Sequence, residues 1–177
     1  VTPATLATGT HTITATYAGD GGHLASASAP LVQEVYAVAT TATLTTTATS
    51  PALYGAVIRF TATIEATSGI PTGSVTIRDA ALSDAFVGTC TLAPLGASSA
   101  RCDVTTGSLS LGDHLLYMTY AGTSGHLGSQ SSQLALTVGQ TTTTTTIATS
   151  ASVVTAGTAV TFTANVDSST AAPTGDR

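Results

Sequence analysis

Apolar and polar side chains alternate along several short stretches of this 177-residue chain. The clearest stretch covers 56–65 and places four apolar side chains on one face: Ile58, Phe60, Ala62 and Ile64. Polar residues fill the positions between them, from Arg59 to Glu65. Strict alternation over this length is typical of a β-strand with one buried face. No stretch carries helical periodicity of useful length, so the pattern predicts an all-β protein.

Further alternating runs predict about seven strands in roughly 100 residues, which is the spacing of a sandwich domain. Besides 56–65, they are the Thr-rich run around Leu44, Ser74–Asp79, Val87–Leu92, Ala100–Thr105, a run with His114, Leu116, Met118 and Tyr120 inward, and Gln133–Val138. Turn-forming Gly, Pro and Ser residues separate these runs. The arrangement predicts an antiparallel β-sandwich.

The same patterns recur along the chain. The run containing His11 and Tyr17 matches the one containing His114 and Tyr120, and the loops that follow match as well. Four further pairs of segments match: 55–64 with 157–166, Pro71-Thr72-Gly73 with 173–175, Thr40–Thr49 with 141–149, and Val1 and Leu6 with Val104 and Leu109. A period near 100 residues is too long for a solenoid repeat and suits tandem independent domains.

The repeat defines three segments. Residues 1–38 form the C-terminal part of one repeat, 39–139 a complete repeat, and 140–177 the N-terminal part of a third. Incomplete sandwiches would expose inward-facing side chains such as Ile13 and Phe162. We therefore hypothesise that neighbouring copies complete them in a head-to-tail polymer, or that adjacent repeats of a longer chain do so.

Composition and charge limit the classes of binding partner and the cellular location that we expect. Charged residues make up 7% of the chain, Lys is absent, and the net charge is −5. Since no basic patch exists, nucleic acid is not an expected partner. No apolar run approaches the ~20 residues of a membrane-spanning helix, so we expect no membrane insertion in this segment. Abundant Thr, which suits half-exposed strands, and the absence of Lys favour an extracellular or cell-surface location.

The two cysteines, Cys90 and Cys102, lie on successive predicted strands around a turn at Leu95-Gly96. Neighbouring antiparallel strands can bring cysteines to the ~5.5 Å Cα spacing of a disulfide. We therefore predict a disulfide that acts as a local hairpin staple and not as a bridge between sheets. Metal binding is disfavoured because no further Cys or nearby His stands at ligand spacing.

Other polar residues favour structural roles. His11 and His114 open core-facing sets, which predicts structural histidines near a strand end, while His23 and His126 fall in a loop. Carboxylates such as Asp79 and Asp84 are scattered and are expected to be solvated turn residues. Since no calcium loop, nucleophile elbow or phosphate loop is present, we expect no metal, no cofactor and no enzymatic activity.

Leu115 and Tyr117 are predicted to point away from the core, where the first segment has Thr12 and Thr14. An exposed Leu–Tyr pair predicts an intermolecular contact. The alternative is that a flanking loop covers the pair.

Four short motifs follow one another in the order T-T-T, F-T-A-T, P-T-G-x-V and H-x-x-x-x-x-Y-x-G. In the order of these motifs the chain resembles the bacterial immunoglobulin-like repeat of large surface adhesins and other exported proteins. The resemblance implies an immunoglobulin-like sandwich that serves as a spacer in a fibre or surface stalk. Such repeats usually read Tyr-x-Gly-Asp, as at Asp20, but Thr123 stands there in the complete repeat. Alternatives are a carbohydrate- or receptor-binding module acting through Gly122–Gly128, or a decoration domain of a phage or secreted protein.

Overall fold

The computed structural model describes residues 5–170, 172 and 173, and β-strands dominate their regular structure. The first segment contains β1 (Gly9–Ile13), β2 (Thr16–Tyr17), β3 (Ser26–Ala27) and β4 (Leu31–Val35). The middle segment contains β5 (Thr40–Thr46), β6 (Ala52–Leu53), β7 (Ile58–Ala66), β8 (Ser74–Asp79), β9 (Ala85–Thr91), β10 (Ala93–Pro94), β11 (Ser99–Thr106), β12 (Gly112–Tyr120), β13 (Ser129–Gln130) and β14 (Leu134–Gly139). The last segment contains β15 (Thr143–Thr149) and β16 (Phe162–Ser168). Residues 1–4, including Val1, and 174–175 of the expected Pro-Thr-Gly match lie outside the described residues.

The strands of the middle segment form two sheets. One has the order β10-β11-β7-β5, and the other has the order β6-β14-β12-β8-β9, with β13 pairing with β12. The pairs are antiparallel except β6–β14, which is parallel. Because β5 and β6 lie in different sheets, the chain crosses between the layers within a few residues of entering the sandwich. The predicted all-β sandwich is confirmed.

The core lies between the two sheets and consists of the predicted inward faces. The apolar side chains that are fully buried there come from β7, β8, β11 and β12: Phe60, Ala62, Ile64, Val75, Ile77, Ala100, Leu116 and Met118. Apolar burial of this kind contributes roughly 1.5–3 kcal/mol for each large aliphatic or aromatic side chain. The alternation read from the sequence therefore identifies the side chains that hold the layers together.

The first segment departs from the predicted continuous strand. The run that is unbroken in β12 is divided into β1 and β2, and the Ala15 amide between them donates to Ser28 Oγ at 3.0 Å. In the middle segment β8 also pairs with β12, whereas β1 pairs with β4 alone among the described strands. Without a second neighbour, β1 has 5 residues where β12 has 9, and Ile13 is 43% exposed.

The last segment forms one antiparallel ladder, β15 with β16. Phe162 lies opposite Thr149, just as Phe60 lies opposite Thr46 in the middle segment. The connection between the paired residues is therefore one residue shorter in the last segment, which locates the length difference between the two segments in this loop. Phe162, at the start of β16, is 68% exposed.

Candidate functional site

A disulfide joins Cys90 to Cys102, with the two Cα atoms 5.8 Å apart, as predicted. The expectation of a hairpin staple is wrong. Cys90 lies in β9, which pairs with β8, and Cys102 lies in β11, which pairs with β7 and with the short β10. The bond therefore connects the two sheets. The reason is that β10 occupies the hairpin position beside β11 that β9 was expected to fill.

Gly88 brings β9 close to β11 near the disulfide. A Cβ atom at this position would lie 2.4 Å from Cγ1 of Val104. Any larger residue would force Val104 or one of the two strands to move, because a Cβ atom does not tolerate so short a contact. The sequence offered the signal, an isolated Gly inside an alternating run, which often marks a close backbone approach.

His114 is buried, 1% exposed, and both of its ring nitrogens have acceptors. Nδ1 lies 2.5 Å from Asp79 Oδ2, and Nε2 lies 2.9 Å from the Ser110 carbonyl oxygen. Burial alone would lower the pKa of His114, but the hydrogen bonds to Asp79 and Ser110, together with the charges of Asp79 and Asp113, raise it above its ordinary value. When protonated, the ring donates at both nitrogens, and these buried contacts make His114 a structural histidine, as predicted.

Asp79 is 1% exposed, so the expectation of a solvated turn residue is wrong for it. Its Oδ1 accepts from the amides of Leu115 at 3.0 Å and Ala81 at 3.1 Å, the latter at the start of the 3₁₀ helix Ala80–Leu82. The alternation of β8, with Val75 and Ile77 inward, placed Asp79 on the core face at the same end of the sandwich as His114. That pattern was sufficient to find the pair.

Leu115 and Tyr117 lie on the outer face of β12. Leu115 is 38% exposed, and Tyr117 is half-buried with its hydroxyl donating to Asp84 Oδ1 at 3.0 Å. That hydrogen bond, with burial and the Asp84 charge, raises the pKa of Tyr117. Arg78, opposite Tyr117, donates to the Asp84 carbonyl at 3.0 Å. The loop after β8 thus covers part of the pair, while an intermolecular contact at Leu115 stays a prediction.

Tyr120 and His126 tie the loop after β12 to the loop before β8. The Tyr120 hydroxyl donates to the Thr72 carbonyl at 2.9 Å, and His126 Nε2 lies 3.2 Å from the Ser68 carbonyl oxygen. Both acceptors are backbone atoms, so the connection does not depend on a particular side chain in the partner loop. This end of the sandwich is held without an aspartate.

The corresponding residues of the first segment use an aspartate. Asp20 accepts from the Tyr17 hydroxyl at 2.7 Å, from the Gly22 amide at 2.9 Å and from His23 Nδ1 at 2.8 Å. The bonds from Tyr17, Gly22 and His23 lower the pKa of Asp20 to about 2. The departure at Thr123 is therefore explained, since backbone carbonyls replace the carboxylate there.

The outer face of the four-stranded sheet carries an exposed ion pair. Arg59 bonds to Asp103, which also accepts from the Thr61 hydroxyl at 2.7 Å. These bonds lower the pKa of Asp103.

Among the described residues, no group of three or more His, Cys, Asp or Glu side chains is arranged to hold a metal ion. The described part of the chain also contains no helix long and apolar enough to cross a bilayer.

Two packed, mainly antiparallel sheets joined by a crossover near the chain entry define an immunoglobulin-like β-sandwich. The family model for the bacterial Ig-like domain (group 3) matches residues 39–139, and the chain belongs to this family. Domains of this kind are structural or adhesion-type modules. No curated protein is significantly similar to the chain.

Proposed function

We propose that the chain is a non-enzymatic segment of an extracellular fibre or surface stalk built from tandem Ig-like repeats. The observation that carries the proposal is the recurrence of local geometry together with sequence. His11 Nε2 lies 2.7 Å from the Ala7 carbonyl oxygen, and His114 Nε2 lies 2.9 Å from that of Ser110, the matching residue. Equivalent histidines therefore contact the backbone carbonyl four residues earlier in both segments.

A second recurrent contact supports the tandem arrangement. The backbone of Ser28 bonds to that of Ala15 at 2.9 Å, and the Ala15 amide donates back to Ser28 Oγ at 3.0 Å. Ser131 and Met118 make the same pair of contacts at 3.0 and 3.1 Å. A shared sequence pattern that forms the same local contacts is expected of repeated domains.

The topology suits a module that resists extension. The middle segment begins with β5 and β6 and ends with β14, and β6 pairs with β14 in parallel. Pulling the two ends of the segment apart moves β6 and β14 in opposite directions along their own axes. The Tyr54 amide bond to the Gly139 carbonyl, at 2.8 Å, and the Thr137 amide bond to Ser50 Oγ, at 3.1 Å, are loaded in the same direction. Hydrogen bonds loaded together must break together, which raises the force needed to open the domain.

The disulfide and the composition support a location outside the cell. Disulfides persist in oxidising compartments and are rare in reducing ones. The chain is rich in Thr, and only 7% of its residues are charged. A stalk at the cell surface is consistent with both the disulfide and this composition.

Surface labelling of intact producing cells tests the proposal. An antibody raised against residues 39–139 should label unlysed cells or shed fibres, and added protease should remove the label. Labelling that appears only after lysis would refute the extracellular assignment. Quantitative mass spectrometry of the labelled product should reveal several related Ig-like repeats, and a product with a single repeat would refute the tandem arrangement.

A further inference from the structure

In space, the Tyr54 backbone lies beside Gly139 and Thr141, where the chain leaves the middle sandwich and enters the last segment. Its amide donates to the Gly139 carbonyl at 2.8 Å, which extends the β6–β14 ladder. Its carbonyl oxygen accepts from two hydroxyls of the last segment, Thr141 Oγ1 at 3.2 Å and Thr170 Oγ1 at 2.6 Å. The backbone of one residue therefore bonds both to the sandwich and to the segment that follows it. We call Tyr54, Thr141 and Thr170 the repeat junction.

The hydrogen atoms available at the repeat junction fit this arrangement. A carbonyl oxygen has two lone pairs, and each threonine hydroxyl has one hydrogen to donate. Thr141 Oγ1 and Thr170 Oγ1 are also 3.0 Å apart. Thr170 can therefore donate to Tyr54 while Thr141 donates either to the same oxygen or to Thr170. Either pattern links two separate parts of the last segment, one before β15 and one after β16, to the same point of the sandwich.

Apolar groups flank the hydrogen bonds. A cavity of about 320 Å³ lies beside the repeat junction and is lined in part by Tyr54, Leu111, Ala172 and Pro173. Leu111 and Tyr54 are 49% and 46% exposed, so neither is fully covered by the last segment. Since the apolar contact is incomplete, the hydroxyl bonds supply the directional part of this junction.

The junction before the middle segment has no hydroxyl at the matching position. The strand registers equate Leu44 with Ile147, so Thr141 corresponds to Val38. The expected match of Thr40–Thr49 with 141–149 is therefore wrong in register, because Thr-rich runs align equally well at several offsets. Val38 uses its backbone instead. Its amide donates to the Gly125 carbonyl at 2.9 Å, and its carbonyl accepts from the Leu127 amide at 2.8 Å, both within the sandwich that follows it. Val38 has no side-chain donor with which to reach a preceding repeat.

We infer that the Tyr54 carbonyl is a docking point for the next Ig-like repeat and that the two threonine hydroxyls of the repeat junction decide whether a junction is fixed or free. With both hydroxyls present the orientation of consecutive repeats is fixed, and without them the linker is free to move. This inference rests on the proposed tandem arrangement. It implies that the stiffness of a stalk is set junction by junction, because relative domain motion is otherwise the default.

Spin-label distances in the full chain test the inference. Nitroxide labels at Thr43→Cys and Thr163→Cys, two exposed positions on β5 and β16, report the orientation across the repeat junction while Cys90–Cys102 stays oxidised. The unsubstituted junction should give one narrow distance peak by double electron–electron resonance. The variant Thr141→Val/Thr170→Val should lose that peak and give a broad distribution.

Thr142→Val is the matched control, because Thr142 is exposed and its hydroxyl has no hydrogen-bond partner in the part of the chain that the structure describes. It should keep the narrow peak. A broad distribution with the unsubstituted junction, or a narrow peak in the double variant, would overturn the inference. Neither outcome bears on the tandem arrangement, which surface labelling and repeat counting decide.

A second measurement separates orientation from folding of the last segment. Labels at the paired positions Ala148 and Thr163 report by dipolar broadening whether the β15–β16 ladder is formed. The broadening should be the same with and without the Thr141→Val/Thr170→Val change. If the double variant loses it, the hydroxyls support the ladder itself and the inference fails.

Discussion

Reduction of the Cys90–Cys102 disulfide is the most direct perturbation of the sandwich. The two cysteines are 12 positions apart, and closing a loop of that size removes chain entropy worth about 3 kcal/mol from the unfolded state. Reduction leaves both sulfur atoms in place, so the packing around Cys102, which is 9% exposed, changes little. The loss of stability should therefore be close to the entropic value.

Thermal unfolding measures this loss. For a domain of about 100 residues each kcal/mol shifts Tm by roughly 4–8 °C, so reduction should lower Tm by roughly 12–24 °C. Circular dichroism with and without a phosphine reductant gives the two values. The control is Cys90→Ala/Cys102→Ala, on which the reductant should have no effect. Oxidised and reduced proteins that melt within a few degrees of each other would refute the reasoning.

Force spectroscopy of single molecules gives an independent measure. With the disulfide intact, the chain between Cys90 and Cys102 is not released when the domain opens, because the bond holds the two Cα atoms 5.8 Å apart. Twelve residue spacings extend to about 42 Å, so reduction should lengthen the released chain by roughly 36 Å. An unchanged length would show that the bond does not form in the folded domain.

Three further predictions concern the core and its polar pair. Phe60→Ala should cost ~3–5 kcal/mol in urea unfolding, because Phe60 is fully buried. Gly88→Ala should cost ~1–3 kcal/mol in the same assay, because the added methyl group meets Val104, and a neutral result would show that β9 and β11 separate freely. The raised pKa of His114 contributes stability that is fully present below about pH 6.5, the unfolded value, and is lost as pH rises through the folded pKa. Thermal melting should therefore show Tm falling from pH 6 to pH 9, and Asp79→Asn should remove most of that slope; an equal slope in both proteins would contradict the assignment.

The strands and the core were predictable because alternation depends only on neighbouring residues. Phe60, Ile77 and Met118 were placed inward by period-2 spacing, and each is fully buried. The structural role of His114 followed from the same spacing. Asp79 followed the rule as well, although its polar character led to the wrong expectation of a solvated residue. Spacing was a better guide to burial here than residue type.

Sheet membership was not predictable in the same way, since it depends on contacts distant in sequence. Cys90 and Cys102 are close along the chain, and sequential strands often pair, which predicted a hairpin. The sandwich instead sends β9 to one sheet and β11 to the other. The role of Tyr54 was also missed, because a carbonyl oxygen carries no signature in the sequence.

The bond between β9 and β11 has a consequence for the proposed tandem array of similar domains. Neighbouring repeats with matching strands are prone to exchange them during folding, and such misassembly is a characteristic failure of repeat proteins. A covalent link between the two layers of one repeat ensures that both come from the same copy. Once Cys90 and Cys102 are joined, β11 can no longer exchange into another copy without taking β9 with it. The disulfide would thus preserve the order of the array as it is made, in addition to its effect on the stability of each domain.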